Sequence, residues 1–155
     1  VPIIGALSQE KFAMARVSAV IVLSLALATP SLAQDARAPA ARTEAERAFI
    51  LGQMRLFLQS TQAITAALAR DDLTTVAGEA AARGRQGTPV SAIPPGMKAK
   101  EAPAWTAMMG SVRGGFDALA DAARAGAPPI RLVGMLGETM RACVACHATY
   151  RLTTE

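Results

Sequence analysis

Cys143-Val144-Ala145-Cys146-His147 is the stretch on which the reading of the chain turns. Two thiols three positions apart, followed directly by an imidazole, form the attachment signature for covalent haem. The chain holds only two cysteines and one histidine, and all three sit in this stretch. On a helix, residues at i, i+3 and i+4 share a face. Cys143, Cys146 and His147 would then point one way, with two sulfurs for the vinyl groups and one nitrogen for the iron.

Competing readings of the same residues are weaker. A redox-active CxxC normally follows a strand in a βαβ unit, and no strand pattern precedes Cys143. A structural zinc site takes about four protein ligands, more than the Cys and His residues present. A core histidine beside two chance cysteines is the remaining reading.

Working outward, the 155 residues make a single-domain length. Aromatic residues are only 4% against 52% hydrophobic, so the core must be built from aliphatic side chains, Ala and Met. Ala, Leu, Arg and Met favour helix, and β-branched runs are scarce beyond the N-terminal region. The net charge of +4 comes largely from scattered arginines. A nucleic-acid footprint would need these clustered and a stacking platform beside them, so nucleic acid is not an expected partner.

The N-terminal region reads as an export signal. Lys11 and Arg16 supply a basic start, residues 17–28 an apolar run, and Pro30 its break. Ser31-Leu32-Ala33 then offers small residues for cleavage between Ala33 and Gln34. The run is short for a membrane span, an uncleaved anchor being the alternative, and Met14 is a candidate start. Residues 1–33 are thus expected to be extension plus signal, and 34–155 the mature domain, with no membrane span of its own. Haem is attached to such thiols outside the bacterial cytoplasm, so export and motif agree on a periplasmic location.

Four helices are expected in the mature part. Thr43-Glu44-Ala45-Glu46 is a capping box opening helix one, whose apolar stripe is Ile50, Met54, Phe57, Leu58, Thr61, Ile64, Thr65 and Leu68. Helix two is expected over 73–83, with Asp72 as N-cap and Gly84 past its end. Residues 84–103, with Gly87, Pro89, Pro94, Pro95 and Gly96, read as a long ordered loop. Helix three follows Pro103 and stops at Gly126, with Trp105, Met108, Met109, Val112, Phe116, Leu119 and Ala120 inward. Its glycines at 110, 114 and 115 either admit a close neighbour or are poor formers held by packing. Helix four follows Pro128-Pro129; its expected inward face is Ile130, Val133, Leu136, Met140, Cys143, Val144 and His147, ending near Arg151, a cation suited to a helix C-terminus. The expected fold class is all-α: an antiparallel four-helix bundle with one long crossover loop and a haem near the C-terminus.

These features resemble the cytochrome c′ family, including its six-coordinate, methionine-ligated relatives. The likeness covers the whole mature chain and is strongest over 143–151, where CxxCH is followed by Tyr150 and Arg151. Residues 98–105, with Lys98 and Lys100 leading into helix three, are also similar. The resemblance implies thioethers at Cys143 and Cys146, His147 as proximal ligand, Arg151 as the basic residue beside its imidazole, and one haem c per chain. It also implies a distal face supplied by helix one, where Met54 stands, and a family habit of dimers packed through helices one and two. The family often has a basic residue one turn before the distal position; here that place is Ile50, a departure from the pattern, and Arg47 and Arg55 are the nearby cations within reach of a propionate.

Two functions follow, divided by Met54. If its sulfur binds the iron, raising the reduction potential, the protein is a mono-haem carrier passing single electrons between periplasmic redox proteins. If Met54 only blocks the site, the haem is five-coordinate and takes up nitric oxide or carbon monoxide. Enzymatic chemistry at the haem is not expected. Peroxidase-like acid–base work wants a distal His or carboxylate, the one histidine is committed, and the inward stripe of helix one carries no carboxylate.

Overall fold

Thr43 sets where the first helix begins. Its hydroxyl accepts from the Glu46 amide at 3.3 Å, and Glu46 reaches back to the Thr43 amide at 2.9 Å, so the capping box forms as expected. The computed structural model describes residues 35–155; the export signal and its cleavage point lie outside the described residues. Helix α1 spans Glu44–Leu68, and α2 spans Leu73–Ala81 behind an Asp72 cap that accepts from Thr75 N at 3.0 Å. A sharp turn joins them, with Asp71 left-handed at φ 57°. The 84–103 segment is a long connection holding two short 3₁₀ turns, Val90–Ala92 and Met97–Lys100. Helix α3 (Pro103–Arg124) ends before Gly126, which takes φ 75°. Helix α4 (Pro129–Thr149) opens on the second of two prolines. No described helix is long and apolar enough to cross a membrane.

The main core gathers Ile64, Val76, Phe116, Leu119 and Leu132, one or more from each helix and all sealed from solvent. Phe57 and Phe116 stack across α1 and α3 with centroids 5.5 Å apart. Helix α3 lies against both α2 and α4, with Gly115 beneath Thr139: a Cβ there would collide with the Thr139 side chain. Packing is also extensive between α1 and α2 but sparse between α1 and α4. A second, smaller cluster joins Ala40, Ile50, Met97 and Trp105, with Met54, Met109, Tyr150 and Leu152 around it.

The four expected helices are present and the described residues are mostly helical, with one small sheet added to them. Strand β1 (Ala38–Arg42) and strand β2 (Tyr150–Thr154) pair in parallel, Ala38 opposite Tyr150 through Arg42 opposite Thr154. Consequently α4 ends at Thr149 rather than near Arg151, and Arg151 is a strand residue, not the helix-terminal cation expected. Helix α2 stops at Ala81, two residues early, as Arg83 and Gly84 tighten onto the Ala80 and Ala81 carbonyls. The expected helix faces also shift. On α1, Leu58 and Thr65 are exposed, while Ser60 is buried and donates to Glu79 of α2 at 2.8 Å. On α4, Leu132, Leu136, Thr139 and Cys146 are buried, but Ile130, Val133, Met140, Val144 and His147 are exposed. The apolar arc on each helix is wider than its contact.

Candidate functional site

Helix α4 carries the motif in its last two turns. Cys146 is 9% exposed, whereas Cys143 is half-buried against the main core with its Sγ 3.8 Å from the Thr139 carbonyl. Neither is in a disulfide. Burial pushes both thiols up from their ordinary range, and the neighbouring Cys143 adds to the effect at Cys146.

His147 is exposed at the end of the helix. Its carbonyl is one of the last of α4 and accepts from Arg37 Nη1 at 3.3 Å. Arg151 Nε donates to the Arg37 carbonyl at 3.3 Å. The strand ladder and these two arginines thus hold the end of the motif helix against the segment that leads into α1.

Helical geometry, about 100° per residue, locates the exposed apolar residues. The groove between α3 and α4 is lined on the α4 side by Arg131, Met135, Glu138 and Ala142, which marks the flank turned toward α3. Val133, Met140, Val144 and His147 fall on the opposite flank. On α1, Ser60 marks the flank turned toward α2, and Met54 and Leu58 fall on the other. Both flanks border the sparsely packed α1–α4 seam. Along it Leu58 is 71% exposed and Val144 67%, although both are apolar. Cys143 lies between this flank and the core.

Met54 reaches the same end of the domain as the motif. It is half-buried and packs on the small cluster that includes Tyr150, three residues past His147. Ile50, one turn earlier, is buried in that cluster, and Arg47 and Arg55 are exposed. The stripe from Ile50 to Leu68 carries no carboxylate, but the capping box before it does bury one. Glu46 is almost inaccessible, and its Oε2 accepts from both the Thr43 amide and, at 3.1 Å, Lys100 Nζ. The Thr43 amide first, and then Lys100, hold its carboxyl below the usual range, against the opposing pull of burial.

Among the described residues no three His, Cys, Asp or Glu side chains converge on a bare metal ion. A haem would ask less of the protein than a bare ion does: Cys143, Cys146 and His147 are the residues that would hold it, with Met54 the candidate thioether from α1, and its iron would supply one-electron chemistry. The residues present fit that group in kind, two thiols and an imidazole within the last two turns of α4. Only His147 and, at its edge, Cys143 lie toward the apolar seam, whereas Cys146 is buried toward the core.

Sequence reasoning missed a second feature, a cavity of about 320 Å³ beside the ladder, lined by Arg42, Lys100, Trp105, Tyr150 and Glu155 among others. Lys100 bridges Glu46 at 3.1 Å and Glu155 at 2.6 Å. No signal local to the sequence links positions so far apart. Comparison of the chain with protein-family models, with curated proteins and with solved structures gave no match.

Proposed function

We propose that this chain is an exported, periplasmic mono-haem c-type cytochrome that carries single electrons, and not an enzyme. In this reading its four helices form an antiparallel bundle like that of the cytochrome c′ family, with haem c in the α1–α4 seam. The observation that carries the proposal is that seam: apolar side chains exposed on both walls, at the one place where a CxxCH motif and a methionine share an end of the domain.

Each residue has a task the geometry supports. The Cys143 and Cys146 thiols would each add across a vinyl group, a carbon–sulfur bond forming as the thiol proton passes to the other vinyl carbon. Nothing is oxidised in that step, and the reduced state of both thiols suits it. His147 would serve as proximal ligand, its backbone held by Arg37. Met54 would take the sixth position from α1. Leu58, Val133, Met140 and Val144 would exclude water, and low local polarity together with a thioether ligand raises the reduction potential. An iron moving between ferrous and ferric states supplies the electron chemistry.

The test is spectroscopic. Intact mass and a pyridine haemochrome assay should report one covalent haem per chain; a haem-free chain purified from the periplasm would sink the proposal. The ferrous protein should show sharp, split α and β bands, unaffected by carbon monoxide. Met54→Ala should convert them to broad high-spin bands that shift when carbon monoxide is added. Broad bands in the unmodified protein would instead assign it to gas binding, and unchanged bands in Met54→Ala would acquit that residue.

A further inference from the structure

Arg42 is the least expected side chain in the domain. It is a guanidinium only 4% exposed, on the last residue of β1. One arm donates to the Ala41 carbonyl at 2.7 Å, and its flat face lies 5.4 Å from the Trp105 ring centroid. Its Nε is buried and makes no hydrogen bond. A buried charged donor left unused is costly. This one has almost no accessible surface, so an acceptor in the neighbouring cavity would reach it once the Arg42 side chain turns toward the cavity.

The pocket is there. Arg42 lines the cavity of about 320 Å³ with Lys100 as a second cation, and Ala40, Ala102, Trp105 and Tyr150 provide an apolar body. That volume is at the small end of ligand sites, which run from roughly 300 to 1,000 Å³. Three charged side chains line it, Arg42, Lys100 and Glu155, and Glu46 pairs with Lys100 from outside the lining. Glu46 is buried and committed, whereas the Glu155 side chain is 45% exposed and, among the described residues, has Lys100 as its one ion-pair partner. If Glu155 swings outward, one positive charge is left without its balance, which a single carboxylate restores.

We propose that this cavity binds a small monocarboxylate with a flat or compact apolar body, and that Glu155 is a tethered carboxylate occupying its Lys100 wall in the ligand's absence. The carboxylate of the ligand would replace Glu155 on Lys100 and take the unused Arg42 donor, with its apolar part against Trp105 and Tyr150. The site uses none of the motif's own residues, although Tyr150 follows His147 by three positions, and it does not rest on the haem assignment.

Benzoate is a suitable probe, titrated into the purified full chain by calorimetry. One site with millimolar affinity is expected, and no binding of the uncharged analogue benzamide. Glu155→Gln removes the intramolecular competitor, whose effective concentration is of millimolar order, and should tighten binding about tenfold. Lys100→Met should abolish it. Because Lys100 also pairs the buried Glu46, its fold is checked by circular dichroism, and Glu155→Gln, which leaves that pair intact, decides the proposal if Lys100→Met does not fold. Trp105, the only tryptophan, gives a second readout through its fluorescence in any preparation without haem. The proposal is overturned if Glu155→Gln takes up no benzoate, if it binds no tighter than the unmodified chain, or if Lys100→Met binds as well as it.

Discussion

Glu46 shows how much one side chain can organise. It closes the capping box with Thr43, receives Lys100 from the crossover loop, and is buried while doing both. Its folded-state carboxyl titrates below its ordinary value near 4.5. The stability it contributes is therefore complete above the unfolded value and is lost as pH falls through the folded one. Thermal melts of Glu46→Gln should lie well below those of the unmodified protein at pH 7, and the gap should narrow progressively below about pH 4.5. A constant gap down to pH 3 would place the loss in packing and not in charge. Half of this was legible in the sequence. Thr43 and Glu46 are three positions apart, so the box can be read by eye. Lys100 is 54 positions further on, and only the folded loop brings it there.

Among the elements, the helices were readable and the strands were not, for one physical reason. A helix satisfies its hydrogen bonds within itself, so its period, caps and breakers are local. Strand β1 reads Ala-Pro-Ala-Ala-Arg, with no β-branched residue, and exists because β2 lies beside it. Helix faces were legible only in part, since an apolar arc wider than its contact does not say which edge is covered. Phe57 and Ile64 were placed correctly, but Leu58 and Val144 were not. The α3–α4 contact gives a sharper test. Alanine at Gly115 would improve helix propensity by ~1 kcal/mol, but the collision with Thr139 should cost about 1–3 kcal/mol. Gly115→Ala is expected to be destabilising by ~1 kcal/mol in denaturant unfolding. Gly110 has open space around its would-be Cβ, so Gly110→Ala should be stabilising by up to ~1 kcal/mol. Equal and opposite behaviour of these two glycines is not expected from propensity alone.

At the scale of the molecule, the α1–α4 seam is an uncovered apolar surface. The side chains along it, Leu58, Val133, Met140 and Val144, are each partly in water, and covering one such side chain is worth on the order of 1 kcal/mol. If the proposed haem covers the seam, a chain made unable to attach haem, Cys143→Ser with Cys146→Ser, should melt several degrees lower than the unmodified protein and bind the dye ANS, which the unmodified protein should not. Equal dye binding by both would show that nothing covers the seam. The candidate site was legible as a motif, since Cys143, Cys146 and His147 are contiguous. Its opposing wall was legible only as a guess at Met54, because facing depends on the whole domain.

The parallel ladder between β1 and β2 has a mechanical consequence. Its strands come from positions more than a hundred residues apart and run in the same direction. Tension applied between the beginning of β1 and the end of β2 would load all five paired positions together in shear, not peel them one by one. Everything between them, from the start of α1 to the end of α4, would be shielded from that force until the ladder gave way. Pulling on the two ends in a single-molecule experiment should therefore give one high-force rupture followed by easy extension of the helices. A proline at Ala40, in the middle of β1, should remove the rupture and leave the extension.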